Sequence, residues 1–149
     1  MNIIILCVGK LKEKYWAQAV DEYVKRLSRY CTIAIDEVKE SDKDDKQEEG
    51  ESILRKIKKE DYVIALEVNG TGMSSEELAN KIESLQISGK SKMVFVIGGS
   101  EGLSNDVSKR ANCSLSFSKM TFPHQMMRVI LLEQIYRSFK IIKNEKYHK

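Results

Sequence analysis

Three stretches of this chain, "IIILCVG" (Ile3–Gly9), "DYVIALEV" (Asp61–Val68) and "SKMVFVIGG" (Ser91–Gly99), are apolar almost without a break. A strand with one face in water alternates apolar and polar side chains, whereas a strand apolar on both faces has to be covered on both. That requirement calls for a mostly parallel sheet with helices on either side. The intervening sequence supplies them: in "KYWAQAVDEYVKRLSRY" the positions Trp16, Ala19, Val20, Tyr23, Val24 and Leu27 recur at helical spacing. "TIAIDEV" alternates like a strand, "KESDKDDKQEEGE" reads as a charged loop leading into a helix over "ESILRKIKK", and "SSEELANKIESL" opens on serine and acids as helices do. Strands alternating with helices predict an α/β fold, a mostly parallel sheet flanked by helices. With no internal repeat and no Pro/Ser-rich linker, residues 1–149 read as a single domain.

The opening apolar run is shorter than a signal-peptide core and has no basic residue ahead of it, and no run approaches the ~20 apolar residues that span a bilayer. The chain therefore reads as cytoplasmic, with no membrane partner. Cys7, Cys31 and Cys113 are odd in number and widely spaced, which points to reduced, buried thiols and to neither a zinc site nor a disulfide framework. Charge is unevenly placed. From Ser108 onward nine Lys/Arg face two acids, a local +7, while Met1–Val107 carries 16 basic and 20 acidic residues, or −4. A basic final quarter either meets phosphate or is a solvated face.

Ligands of parallel sheets bind beyond the carboxyl ends of the strands, so the loops after the apolar runs are where chemistry belongs. "LEVNGTG" and "IGGSEGL" are glycine-rich, yet neither is a dinucleotide or P-loop fingerprint. Their glycines either bring backbone close to a ligand or make a tight turn. The third loop, "LSFSKMTFPH", is apolar and hydroxyl-bearing, stiffened by the only proline, Pro123. It suits a purine ring and a thioether chain better than a phosphate. Beyond it Gln125–Ile142 predicts a helix apolar over most of its circumference, with Met126, Met127, Val129, Ile130, Leu131, Leu132, Ile135, Tyr136 and Phe139 all contributing. Such a helix is central in a core or half of a subunit interface, and for a chain this small the interface is favoured.

"FVIGGSEGL", "LSFSKMTFPHQMMRVILLEQIYRSFKI" and the terminal "YHK" resemble the small SPOUT-class methyltransferases of the RlmH (YbeA) family, and the resemblance runs from "VGKLKEKYW" to the last residue. It implies a C-terminal trefoil knot (a SPOUT, or α/β-knot, fold), an obligate homodimer, S-adenosylmethionine bound within the knot, and methyl transfer to N3 of a pseudouridine of 23S ribosomal RNA, in the stem-loop at the ribosomal subunit interface and within the assembled ribosome. Carried over by position, it puts the cofactor on Leu66, on Gly98 and Gly99, and on Phe117, Ser118, Lys119, Met120, Thr121 and Phe122. Two departures stand out: Glu67 where relatives often have Asp, and "NEKYHK" where they often have "GEPYHK", which implies a less rigid tail.

Methyl transfer from a sulfonium to nitrogen is an in-line displacement, and the uracil-type N3–H has to lose its proton before or during attack. His148 is the candidate base because histidine titrates near neutrality; its bland alternative is a terminal residue that only touches RNA or solvent. Tyr147 belongs with it in the catalytic tail. Arg137 and Arg128 are candidates for phosphate or uracil-carbonyl contacts, against a plain Glu133–Arg137 surface pair. His124 is expected to make a structural hydrogen bond. If the last helix forms the dimer interface, its tail reaches the partner's cofactor loop and each site draws on two chains. A non-catalytic RNA-binding dimer and a small-molecule regulatory dimer are the alternatives.

Overall fold

The computed structural model describes residues Met1–Lys149. Ten elements follow one another: β1 (Asn2–Val8), α1 (Lys14–Leu27), β2 (Thr32–Val38), α2 (Lys46–Arg55), β3 (Tyr62–Gly72), α3 (Ser75–Ile87), β4 (Lys92–Ile97), α4 (Asn105–Arg110), β5 (Cys113–Ser116) and α5 (His124–Ile142). The five strands form one sheet in the order β2-β1-β4-β3-β5, and every pairing is parallel.

The two-residue period of the strands divides the core in two. Ile3, Ile5 and Cys7 of β1 and Met93, Phe95 and Ile97 of β4 face a layer made by α1, α3 and α5. Leu6 and Val8 with Val94 and Val96 face α2 and α4 through Ile53 and Val107. The unbroken apolar runs therefore reflect two buried faces. Each fully buried Ile, Leu or Phe contributes roughly 1.5–3 kcal/mol.

Local chemistry sets the boundaries. The Ser74 hydroxyl accepts from Glu77 N (3.1 Å) while Glu77 accepts from Ser74 N (2.7 Å), a capping box that starts α3. Helix α2 begins inside the stretch read as a charged loop, because the Asp45 carboxylate accepts from Gln47 N (2.9 Å) and Glu48 and Glu49 favour the first turn. It ends at Arg55 rather than running on to Lys59. Two short elements, α4 and β5, were not expected: each buries a single apolar residue, Val107 and Leu115, too little to generate a period.

Strand β3 outruns its apolar sequence. Leu66 and Thr71 both pair with Leu115, so residues 67–70 bulge out over the edge strand. The Gly70 backbone packs so closely on β5 that a Cβ there would stand 2.9 Å from the carbonyl carbons of Ser114 and Leu115.

Arg128, on the second turn of α5, has no exposed surface. Its guanidinium donates to Glu37 Oε2 (2.6 Å) and to the carbonyl of Gly9 (2.7 Å), fastening α5 to the carboxyl ends of β2 and β1. Arg128 is thus no phosphate contact, since its side chain is enclosed and already committed. Cys7 lies in the same interior, and burial pushes its thiol up to about 12 against the opposing pull of Arg128. The far end of α5 is equally fixed. Asn144 adopts φ +55, its N–H bonds Ile141 O (3.0 Å) and Glu145 N bonds Lys140 O (2.9 Å), a Schellman termination. Glu145 then accepts from Tyr30 (2.8 Å) and Lys140 (2.6 Å). The "NEK" departure, expected to loosen the tail, pins its start.

Replacing Arg128 by Ala removes the only partner holding Glu37 to α5. Glu37 is 35% exposed and regains water, so the expected loss is about 3 kcal/mol, the low end for a broken buried pair, read from the urea midpoint. Gly70→Ala should push β5 off β3, with faster amide exchange confined to β5 and a loss of about 1–3 kcal/mol; wild-type exchange would show that the close approach relaxes freely.

Candidate active site

Beyond the carboxyl ends of β3, β4 and β5 lies a cleft of about 370 Å³. Three segments wall it: the β3 bulge (Leu66–Asn69), the turn after β4 (Gly98–Leu103), and the loop after β5 (Phe117, Ser118 and Met120–Phe122), with His124 and Met127 of α5 closing one side. Among the residues expected to bind a cofactor, Leu66, Gly98, Gly99, Phe117, Ser118, Met120, Thr121 and Phe122 meet here; Lys119 does not line the cleft.

The glycine segment is both a tight turn and a wall. Gly102 N bonds Gly99 O (3.0 Å) with Gly102 at φ +80. A Cβ on Gly98 would stand 2.7 Å from the Gly102 carbonyl, so even alanine would open the turn. The third loop is tied to the bulge, because Ser116 Oγ donates to Val68 O (2.9 Å), and it is braced internally by Met120 N donating to Ser118 Oγ (3.0 Å).

No Lys or Arg lines the cleft; its charged residues are Glu67 and Glu101. Glu67 is held by two hydroxyls, Ser108 Oγ (2.5 Å) and Ser114 Oγ (2.6 Å), which lock β3 to α4 and β5. The longer reach of Glu over Asp is used there. Leu66, Leu115, Phe117, Phe122 and Met127 provide apolar walls. A half-open cleft with apolar walls, carboxylates and no basic side chain disfavours phosphate and suits a flat base joined to a cationic or neutral chain. His124 does not make the structural hydrogen bond expected of it. Its Nδ1 is buried without a partner, and burial, then the neighbouring Arg128, hold its pKa below the usual histidine value, so the ring facing the cleft favours the neutral form.

Arg137, Tyr147 and His148 assemble elsewhere. Arg137 pairs with Glu133 (2.8 Å) and its Nη1 meets His148 Nδ1 (3.2 Å). Tyr147 lies beneath the guanidinium, 4.7 Å from ring centroid to Cζ, and donates to Glu133 Oε1 (3.1 Å). Burial, then that carboxylate, push the Tyr147 phenol up to about 12, so it stays protonated. His148 Nε2 meets Glu76 Oε1 at 2.6 Å. The tautomer follows: a guanidinium only donates, so Nδ1 is the acceptor and Nε2 carries the proton given to Glu76.

None of these three lines the cleft. Arg137 stands ten residues beyond Met127 on one helix, about 15 Å along its axis. One chain thus brings the expected cofactor residues together and the expected catalytic residues together, but not the two groups to each other. Sequence reasoning offered the Glu133–Arg137 pair as the plain alternative, but missed Glu133 as the acceptor of Tyr147 and missed Glu76 altogether. Glu76 is legible only as a first-turn acid of α3, and nothing in the sequence links it to a histidine 72 residues away.

Residues 1–148 match the family described as "Predicted SPOUT methyltransferase". The ribosomal RNA large subunit methyltransferase H of Clostridium novyi (strain NT) is 59% identical and that of Alkaliphilus oremlandii (strain OhILAs) 54% identical, each over 100% of both chains. The structure of a probable methylase family protein from Haemophilus influenzae Rd KW20 superposes with a TM-score of 0.57 at 15% identity, covering 99% of this chain and 70% of that one; it shares the fold. With the family matched along nearly its whole length and close relatives matched end to end, the chain belongs to the SPOUT methyltransferases, among the ribosomal RNA large subunit methyltransferases H.

Proposed function

We propose that this methyltransferase moves a methyl group from S-adenosylmethionine to N3 of a pseudouridine in 23S ribosomal RNA, in the stem-loop at the ribosomal subunit interface, and that it works as a cytoplasmic homodimer with its cofactor loops knotted. The observation that carries the reading is the division just described. The cleft has what a methyl donor needs and almost nothing for an RNA acceptor; the tail cluster has the reverse.

Leu66, the Gly98–Gly99 turn and the loop Phe117–Phe122 would hold the cofactor, whose adenine and thioether portions match the apolar walls and whose positive sulfur matches their lack of basic residues. When bound it supplies an electrophilic methyl group. The apolar side chains around it exclude water, and the bulge and turn fix the angle of approach.

The proton on N3 is the task of the tail. His148 Nδ1 has its lone pair directed at Arg137, so it takes no proton while that contact holds. An acceptor carbonyl or phosphate that draws Arg137 toward itself frees Nδ1. The Glu76 carboxylate, already on Nε2–H, then stabilises the imidazolium formed. Tyr147, a donor throughout, orients Glu133 and so Arg137.

A second chain brings the two halves together. Leu131, Leu132, Ile135 and Phe139 are buried in their own protomer's core and Met127, Val129, Tyr136 and Ile142 pack against it, leaving Met126, Ile130 and Ile141 as the apolar part of the outer face of α5. That face is smaller than the sequence suggested. An antiparallel two-fold contact along this face, crossing near the middle of α5, would place each tail near the partner's cleft.

The direct test is methylation with tritiated S-adenosylmethionine of ribosomes lacking the modification, comparing separate subunits with whole ribosomes. Gly98→Val should abolish cofactor binding by calorimetry, and deletion of Tyr147–Lys149 should keep cofactor binding and lose methylation. Mixed with subunit exchange, the two should recover about a quarter of wild-type activity, because half the dimers would hold one intact site of two. No recovery would mean that each site belongs to one chain. Glu76→Gln should slow methylation about tenfold or more with S-adenosylmethionine binding unchanged, since the imidazolium formed would lose its carboxylate partner. A wild-type rate would remove the Glu76–His148 pair from the mechanism.

A further inference from the structure

A second hollow, of about 230 Å³, lies between the C-terminal halves of α1 and α5. Lys25, Arg26, Arg29 and Lys140 line it together with Tyr30, Tyr136 and a single acid, Glu22. The cations and rings are interleaved. The Arg26 guanidinium lies 5.1 Å over the Tyr23 ring and 5.7 Å over Tyr136, and the Lys140 ammonium 5.6 Å over Tyr136 and 5.9 Å over Tyr30.

The nearby carboxylates are already engaged. Glu22 holds Arg26 (3.0 Å) and Glu145 holds Lys140 (2.6 Å). Lys25 and Arg29 have no ion pair and no side-chain hydrogen bond. They lie four residues apart across the end of α1, both exposed, so they can address neighbouring phosphates of one strand. The hollow also continues into the tail cluster: Tyr136 meets Tyr147 edge-on at 5.0 Å, and Tyr147 lies beneath Arg137.

We propose that this groove is the track for the acceptor strand, with Lys25 and Arg29 binding the RNA backbone beside the nucleotide delivered to the tail cluster. Interleaved cations and aromatic rings are the equipment by which single-stranded RNA is held with little regard to sequence. The proposal rests on RNA being the acceptor. It assigns the electropositive track to α1 as well as to the basic C-terminal quarter.

The test uses the full-length protein and a fluorescein-labelled RNA stem-loop containing pseudouridine, titrated in KCl from about 50 to 300 mM. For Lys25→Glu/Arg29→Glu, Kd at about 0.1 M KCl should rise tenfold or more, and the slope of log Kd against log[KCl] should fall by about 1.4, the loss of two single-strand phosphate contacts. S-adenosylmethionine binding by calorimetry should be unchanged, and Lys25→Arg/Arg29→Lys should behave as wild type. If the charge reversals lower the melting temperature, Lys25→Gln/Arg29→Gln is read by the same slope. Wild-type Kd and slope in the substituted protein would overturn the groove, including in favour of an acidic protein docking there. Ribosome methylation is scored separately: its absence in the wild type would overturn the methyltransferase substrate while leaving the RNA groove to its own measurement.

Discussion

A guanidinium with no exposed surface is the point on which the architecture turns. By holding Glu37 and the Gly9 carbonyl, Arg128 fixes where α5 begins relative to β1 and β2. That anchor sets the cleft at one end of α5, where His124 and Met127 complete it, and the tail cluster at the other. Between them α5 fills the space between α1 and α3. Charges buried this deeply are costly unless paired, and here the pairing doubles as a ruler: the distance between donor site and acceptor cluster is a fixed length of helix.

The separation gives the chemistry a logic. Methyl donor and RNA acceptor have opposite needs, one an apolar, phosphate-free enclosure and the other a cationic approach. Placed side by side on one small protomer, the two fields would compromise each other. The chain keeps Lys and Arg out of the cleft lining and gathers them at the far ends of α1 and α5. Under the proposed two-chain site, a second copy is what would bring such halves together.

Much of this was legible in the sequence where one residue type leaves little choice. Unbroken apolar strands required two covered faces, and both were found. The glycines at 98 and 99 and the "FSKMTF" loop, all but its Lys119, do meet in one cleft. What escaped was decided by partners remote in sequence. Arg128 reads as a free cation until Glu37 and Gly9 are folded against it, and Ile135 reads as interface until its own core covers it. The β3 bulge is invisible because Glu67, Asn69 and Gly70 look like a strand terminator; only Leu115, met twice by β3, shows that the strand resumes. "NEKYHK" looked looser than a proline-containing tail, but Asn144 tolerates the left-handed backbone and Glu145 finds Tyr30.

The central position of α5 has a consequence for biogenesis. Leu131, Leu132, Ile135 and Phe139 belong to the larger core, yet they emerge from the ribosome after all five strands have been made. Until then the α1/α3 side of the sheet lacks its middle helix, and Ile3, Ile5, Phe95 and Ile97 remain partly uncovered. A nascent chain in that condition exposes apolar surface that its finished fold hides. Folding therefore concludes with the docking of the last helix between α1 and α3, a closing of long-range contacts that is slow by topology.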